Sequence, residues 1–378
     1  MKVLYLTEWY PHRYDAMSGL FVHKHAAASV GAGVDVCVLY LFNEKSQRTM
    51  TTNRVGIEVV EQLTDGVREV YVYYNKGTFL SALRRGWREV QKRWGTPDLC
   101  QLNVLTKNVL LPLWLRLTRH TPYIVVEHWS GYLPQNGKFA MSSVVHRSLA
   151  RLAVRKASAV MPVSEVLERL MRAQGFSNKR WLRLNNVVDD IFYNVECRPH
   201  SIKSFLHVSC FDERAKNVRG LLRAVRILAD KREDFRLVLV GTGVDYADVR
   251  EYAESLGFPR GMLQWKGELP PEGVAECFAE ADAFVLFSNY ETAGVVLAES
   301  LAAGCPIVST PVGIAPQIIT DKTGVLVPIG DESALAEALE GVMTDVREFD
   351  RKEMRRRANI YSYDSVGDCL LRVYQSVI

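Results

Sequence analysis

Ala283-Phe-Val-Leu-Phe287, Ser288-Asn-Tyr290, Glu291-Thr-Ala-Gly-Val-Val-Leu-Ala-Glu299 and Ser300-Leu-Ala-Ala-Gly-Cys-Pro-Ile-Val308 form one continuous stretch. A five-residue apolar run, a short polar segment and a small-residue helix opening read as a buried parallel strand, a turn and a helix. Glu291 falls on the turn, Gly294 near the helix N-terminus, and Glu299 eight residues beyond Glu291. On a continuous helix that is roughly 12 Å along the axis. Two carboxylates so spaced, with the amides of Ala293, Gly294 and Val295 between them, suit an extended ligand with hydroxyls at its ends and an anion in its middle. A nucleotide sugar has that shape. An isolated pair of glutamates eight apart is equally a solvated helix face, so the flanks have to decide.

The rest of the chain bounds the answer. At 378 residues it exceeds the size at which one core keeps growing, so two domains are expected. A net charge of 47 − 43 = +4 is too small to indicate a nucleic-acid partner. The seven cysteines (Cys37, Cys100, Cys197, Cys210, Cys277, Cys305 and Cys369) are scattered without a C-x-x-C pair. Neither a disulfide framework nor a zinc site is indicated, and a reduced cytoplasmic compartment is expected. Met1-Lys-Val-Leu-Tyr-Leu-Thr-Glu-Trp-Tyr-Pro11 is charged too soon for a signal peptide, and no run approaches the ~20 apolar residues of a membrane span. The expected place is the cytoplasm or the cytoplasmic face of a membrane.

Short apolar strands alternate with amphipathic helices throughout, the pattern of doubly wound parallel sheets. Strands are predicted over 2–7, 34–41, 98–103, 123–127, 159–162 and 181–184, with two more over 55–74 around Thr64-Asp-Gly66. The pattern restarts with strands over 205–209, 235–240, 262–265, 283–287, 307–309 and 324–327. The polar stretch from Asn185 to about Ser204 is the candidate linker. The expected division is 1–190, 191–360 and a C-terminal helix over 361–378 packing back toward the first domain. Two Rossmann-like halves so joined place a site in the cleft between them, outside the carboxyl ends of the strands.

Stretch 288–308 resembles the glutamate-pair motif of family 4 retaining glycosyltransferases, whose fold is called GT-B. Other segments of the second half resemble that family in order. In Val208-Ser-Cys-Phe-Asp-Glu-Arg-Ala-Lys-Asn217, Lys216 matches the lysine that neutralises the donor diphosphate, while Cys210 stands where the family places an arginine. Arg214 in the same loop is the candidate replacement. A cation opening a helix is unfavourable at the positive dipole end, which argues that Lys216 is there for a ligand. Gly241-Thr-Gly243 ends a strand where bare backbone lets a phosphate or ribose approach, although a plain turn reads the same. In Trp265-Lys-Gly-Glu-Leu269, Lys266, Gly267 and Leu269 match the segment over the nucleotide base, and a strand followed by a turn is the alternative. Asn186-Val-Val-Asp189 resembles the domain-junction motif with Val187 for glycine, and is read as structural.

The first half resembles the family only in pattern, which implies an acceptor-binding domain over 1–190 and a nucleotide-sugar-binding domain over 191–360. Tyr10-Pro-His-Arg-Tyr-Asp-Ala-Met-Ser-Gly-Leu-Phe-Val22 is similar to the loop after the first strand, with Gly19 as the glycine whose helix amides would reach the donor phosphate or the acceptor. His128, in Val125-Val-Glu-His-Trp-Ser-Gly131, falls where the family places a histidine near the transferring sugar. His12, His23, His25 and His146 read as structural. The basic clusters Arg84-Arg85-Arg88-Lys92-Arg93 and Arg147-Arg151-Arg155-Lys156 are either solvated faces or a patch for an anionic membrane surface.

The resemblance implies a GT-B enzyme moving a sugar from a nucleotide-sugar donor, UDP- or GDP-linked, to a hydroxyl of a sugar or lipid-linked acceptor, with retention of configuration. Glu291 would hold the donor sugar hydroxyls, Glu299 the ribose, and Lys216 with the 293–295 amides the leaving diphosphate. No Asp-x-Asp stands where it would bridge diphosphate oxygens, so no metal or other cofactor is expected. The rivals are a nucleotide-sugar epimerase or sugar-phosphate transferase on the same fold, a non-catalytic sugar-binding protein, and a nicotinamide dehydrogenase. The last would need G-x-G-x-x-G, and Gly241-Thr-Gly-Val-Asp-Tyr246 lacks the third glycine.

Overall fold

The computed structural model describes residues 1–44, 56–75, 78–198, 201–344 and 348–378. The chain divides into two compact units, Met1–Val187 with Tyr363–Ile378, and Val188–Ser362.

The first unit is built on seven strands: β1 Lys2–Thr7, β2 Asp35–Asn43, β3 Ile57–Thr64, β4 Val67–Tyr74, β5 Leu99–Asn103, β6 Tyr123–Glu127 and β7 Ala159–Pro162. Their order is β3-β4-β2-β1-β5-β6-β7, parallel except for the β3–β4 hairpin. Continuous burial of Val3 to Thr7, Leu99 to Asn103 and Tyr123 to Glu127 is what a parallel sheet covered on both faces requires. The hairpin turns at Asp65 and Gly66, both at positive φ, as the Thr64-Asp-Gly66 reading expects. The expected start at Val55 lies outside the described residues.

Helix Tyr363–Gln375 packs on helix Leu20–Gly31 so closely that a Cβ on Gly367 would stand 2.4 Å from the Ala28 carbonyl oxygen. Its Tyr374 hydroxyl donates to Gln101 Oε1 at 2.6 Å and shares a 2.8 Å hydrogen bond with Tyr5. That polar contact sets the register of the helix on β1 and β5, which apolar packing alone would leave loose.

The second unit carries β8 Lys203–Val208, β9 Phe235–Val240, β10 Leu263–Gly267, β11 Ala283–Leu286, β12 Ile307–Ser309 and β13 Gly324–Leu326. All pair in parallel, in the order β10-β9-β8-β11-β12-β13. In both sheets the chain winds outward from the first strand and then returns to that strand's other side. The strand order therefore reverses between β1 and β5 in one unit and between β8 and β11 in the other, and loops leaving a reversal point diverge to open a crevice.

One expectation changes. Residues 181–184 form no strand: Trp181 makes an isolated bridge to Val160, and the Leu182 and Leu184 N–H groups donate to the Val160 and Pro162 carbonyls without completing a ladder. The boundary between the units, Val187 to Val188, falls inside the candidate linker, which is packed: Val187, Val188 and Phe192 are buried, Asp190–Tyr193 is a helical turn, and Val188 N–H donates to the Tyr361 carbonyl. Apolar residues within a polar stretch gave it a packed end that composition hid.

Candidate functional site

The reversal point of the second sheet brings together side chains 75 residues apart. Lys216 Nζ lies 2.5 Å from Glu291 Oε1, both side chains largely buried. Lys216 comes from the loop after β8 and Glu291 from the loop after β11, the two strands that flank the reversal. Ser288 Oγ donates to the same Glu291 oxygen at 3.0 Å. Burial alone would pull the Lys216 ammonium pKa down, but the Glu291 charge, with smaller help from Cys210 and Asp212, carries it above its ordinary value. The ammonium is therefore a fixed cation in a partly desolvated place.

Each loop is held in shape by its own residues. Lys216 ends the short helix Glu213–Lys216, and Asn217, at φ 49°, turns the chain into helix Val218–Ala229. It thus sits just ahead of the long helix rather than on it, and the Glu291 carboxylate, more than the helix dipole, sets its charge. Phe211 takes a positive φ of 41° while fully buried, its ring against Tyr246 at 5.1 Å and Trp265 at 5.9 Å. The Asn289 amides, backbone and side chain, donate to the Ala215 and Arg214 carbonyls and tie the two loops together.

The glycines are there for close approach. A Cβ on Gly241 would meet the Ser209 carbonyl oxygen at 1.9 Å, and one on Gly243 the Cys210 oxygen at 1.6 Å. Gly241 N–H donates to the Gly267 carbonyl at 2.7 Å, linking two of the expected donor positions. Gly294, at φ 75°, is the N-cap of helix Val295–Ala303. Because that helix begins at Val295, only four residues of helical rise separate its start from Glu299, roughly 6 Å. The continuous helix behind the 12 Å expectation is absent, because Gly294 turns left-handed and keeps Glu291 to Gly294 outside the helix.

Four expected residues stand apart. Arg214 is exposed and makes no ion pair with Glu291. Lys266 and Leu269 line a cavity of about 200 Å³ with Gln264, Gly273 and Glu276. Glu299 is half-buried on its helix.

In the first unit, Gly19 caps helix Leu20–Gly31 in the left-handed conformation, where a Cβ would collide with the Trp9 carbonyl carbon at 2.2 Å. His128 is buried, stacked on Phe21 at 4.1 Å and 5.4 Å from His25. Burial, then His25, pushes its pKa well below the histidine range, so it is a neutral imidazole rather than an exposed charge.

Sequence reasoning missed Glu127, fully buried, which accepts the N–H groups of Leu105, His128 and Trp129 and the Tyr132 hydroxyl. A carboxylate directly before a flagged histidine was the available signal. It also missed Gly313, whose Cβ would stand 2.3 Å from the Ala293 carbonyl oxygen, and Ser288, although both border the quoted stretch. Among the described residues, no three His, Cys, Asp or Glu side chains cluster as a metal site.

Two family models match the chain in succession: a glycosyl transferase 4-like domain over residues 19–186 and glycosyl transferases group 1 over residues 198–364. The chain belongs to the family 4 GT-B glycosyltransferases. Among curated members, a phosphatidyl-myo-inositol mannosyltransferase of Mycolicibacterium smegmatis is 28% identical over 183 residues, 47% of this chain and 46% of that protein. N-acetyl-alpha-D-glucosaminyl L-malate synthase of Bacillus anthracis is 29% identical over 162 residues, 43% of this chain and 41% of that protein. These alignments span less than half the length of the relatives they match. The GT-B fold is also that of the Anabaena protein HepE in complex with UDP, with a TM-score of 0.77, 16% identity and full coverage of both chains. Sucrose-phosphate synthase from Thermosynechococcus elongatus gives 0.76 at 18% identity, covering 100% of this chain and 98% of that one.

Proposed function

We propose that this family 4 member transfers a sugar from a UDP- or GDP-sugar to an acceptor hydroxyl, with retention of configuration and without a metal, in building a cell-surface polysaccharide or glycolipid. The observation that carries this reading is the Lys216–Glu291 pair at the reversal point of the second sheet, beside backbone laid bare by Gly241, Gly243 and Gly294. An ammonium held charged by a neighbouring carboxylate is placed to meet a diphosphate, while the free N–H groups of the first turn after Gly294 add anion-binding dipoles. Solved structures of HepE are described in complex with UDP and with UDP-glucose, and the curated relatives include mannosyltransferases, which supports a nucleotide-sugar donor.

In this reading the bond between the anomeric carbon and the diphosphate oxygen breaks, the acceptor oxygen bonds that carbon in its place, and the acceptor hydroxyl's proton passes to the leaving diphosphate. Negative charge accumulates on the leaving diphosphate, and Lys216 with the 293–295 amides stabilises it where water is partly excluded. Glu291 holds donor sugar hydroxyls through the oxygen that Lys216 and Ser288 do not occupy. Glu299 holds the ribose. No side chain acts as nucleophile.

No helix among the described residues is long and apolar enough to cross a membrane. A lipid-linked acceptor would bring the chain to an anionic surface. Exposed Arg84, Arg88 and Lys92 suit that contact, together with exposed Trp114 and Leu117. Arg147 and Arg151 do not, since they hydrogen-bond the carbonyls of Ala140 and Gln174.

The deciding experiment measures nucleotide released from UDP- and GDP-sugars with and without sugar and lipid acceptors, in excess chelator, by the wild type and by Glu291→Ala. Acceptor-dependent release by the wild type alone is the expected result. Equal release by both proteins would remove the pair from the mechanism, and release that needs added manganese or magnesium would overturn metal independence.

A further inference from the structure

Glu291 to Gly294 lie on no regular element, because helix Val295–Ala303 begins only after them. Groups on such a segment are loose unless something outside it holds them, and a reacting constellation tolerates little looseness. On the β8 side the Asn289 amides supply a tether, to the carbonyls of Ala215 and Arg214. On the other side lies β12, the next strand of the sheet, with the loop that leaves it, Thr310 to Ile314.

This loop meets the segment near both of its ends. The Thr310 N–H donates to the Leu286 carbonyl at 3.1 Å, and the Thr310 hydroxyl to the Ser288 carbonyl at 2.6 Å. Thr310 and Ser288 are both fully buried, so water does not compete for that bond. Ser288 in turn donates through Oγ to Glu291 Oε1 at 3.0 Å. Valine has the shape of threonine, so packing alone does not account for a hydroxyl at 310. At the far end the Ile314 N–H donates to the Ala293 carbonyl at 2.9 Å. Across a trans peptide the next N–H points away from the carbonyl, so a fixed Ala293 carbonyl fixes the direction of the Gly294 N–H. Gly313, at φ 54°, lies so near that a Cβ on it would stand 2.3 Å from the Ala293 carbonyl oxygen and 2.9 Å from the Glu291 Cβ. Backbone angle and space both demand glycine there.

We propose that Thr310 and Gly313 are positioning residues for the transfer reaction. Thr310 aims the Glu291 carboxylate through Ser288. The close approach that Gly313 permits aims the Gly294 N–H through Ala293. The inference rests on the transfer reading above, because the donor is what these two groups would meet. Each route ends on a different part of it: Glu291 on the sugar hydroxyls, the Gly294 N–H on the diphosphate. Breaking one route therefore leaves the other measurable.

The test uses the full chain. Kinetics at saturating acceptor give kcat and donor Km with whichever UDP- or GDP-sugar the wild type turns over. Calorimetry gives affinities for UDP, UMP, GDP and GMP, and thermal unfolding gives the melting temperature. Thr310→Val should lower kcat by about 10² with nucleoside diphosphate affinity unchanged, the cost of misplacing a reacting group by about 1 Å. Thr310→Ser keeps the hydroxyl and should keep the wild-type kcat. Gly313→Ala should leave UMP and GMP affinity unchanged. It should cut the advantage of diphosphate over monophosphate by about tenfold, the worth of one hydrogen bond to a charged group. A Thr310→Val enzyme that melts lower yet keeps the wild-type kcat overturns the positioning role, because the hydroxyl then serves the fold alone. Equal losses of kcat in Thr310→Val and Thr310→Ser overturn it too, as does an unchanged diphosphate advantage in Gly313→Ala. If Gly313→Ala does not fold, the Thr310 pair decides. A wild type that transfers no sugar would defeat the transfer reading instead, and the diphosphate comparison would still decide whether the loop aims the Gly294 N–H.

Discussion

The two units present the same topological feature in opposite electrostatic states. At the reversal point of the second sheet the charges are matched: Lys216 meets Glu291, and nearby His207 is satisfied on both nitrogens, by the Val285 carbonyl and the Ser209 hydroxyl, each at 2.9 Å. At the reversal point of the first sheet, His128 keeps one nitrogen unpaired and Asn108 both amide atoms. A matched site is preorganised for charge, which a leaving diphosphate develops. An unmatched one leaves buried donors and acceptors without partners among the described residues. The difference teaches that a shared fold fixes where a crevice lies, while the residues around it fix the chemistry it can receive.

The largest effect should come from breaking the matched side. Glu291→Ala removes the proposed acceptor of sugar hydroxyls and leaves Lys216 without its counter-charge, so transfer should fall below detection while nucleotide alone still binds. If turnover survives at the wild-type rate, the charge matching serves the fold alone.

Next comes Lys216→Ala, which should lower kcat on the order of 10²–10³, or roughly 3–4 kcal/mol, with a smaller change in donor Km. Arg214 is exposed and makes no ion pair among the described residues, so Arg214→Ala should cost far less. Steady-state kinetics of both variants at saturating acceptor makes the comparison, and an equal loss would return Arg214 to the donor site.

Acid should test the buried histidines of the two units. Burial lowers the pKa of His25 to about 4 and of His207 to about 4. Each folded pKa lies below the ordinary value of 6.5, so each contributes stability that is complete above pH 6.5 and lost as pH falls through about 4. The magnitude is roughly 3 kcal/mol apiece. His23 does not contribute in this window, because its pKa is raised and its stabilisation is already complete below 6.5. Denaturant unfolding at pH 7 and pH 4 should show a smaller acid loss in His207→Gln than in the wild type. The same loss in both would mean that His207 is reached by water in the native state.

The smallest effect concerns the outer face of the first unit. Neutralising Arg84, Arg88 and Lys92 should weaken binding to anionic vesicles by about 1 kcal/mol per residue and leave donor affinity alone. Identical vesicle binding by wild type and variant, measured by co-sedimentation, returns them to a solvated face.

Local reading recovered what is local. The strand and helix alternation, the hairpin at Asp65-Gly66 and the turn that places Glu291 before a helix all follow from periodicity and turn chemistry within a few residues. Gly19, Gly241 and Gly243 announce backbone crowding through their residue type, and Gly294 a left-handed turn. The failure is local too: 181–184 has strand composition but forms only one bridge, while the linker composition of 185–204 marks the boundary between the units and hides a buried Val187-Val188 there.

By itself, then, the sequence determined the two-fold repetition of the α/β pattern, the glutamate-pair segment and the family to which it points. Only the tertiary structure decided that Lys216 and Glu291 share a hydrogen bond, that Arg214 faces outward, that Tyr374 is paired with Tyr5 across 369 residues, and that Glu127 clamps the strained turn after β5. The physical reason is range. Propensity and hydrophobic period act over one or two turns of chain, whereas partners at a reversal point are chosen by strand order, which depends on how the whole sheet buries its faces. The unpaired atoms at the first reversal point belong wholly to that second category, since an asparagine's lack of partners is a property of its neighbours in space.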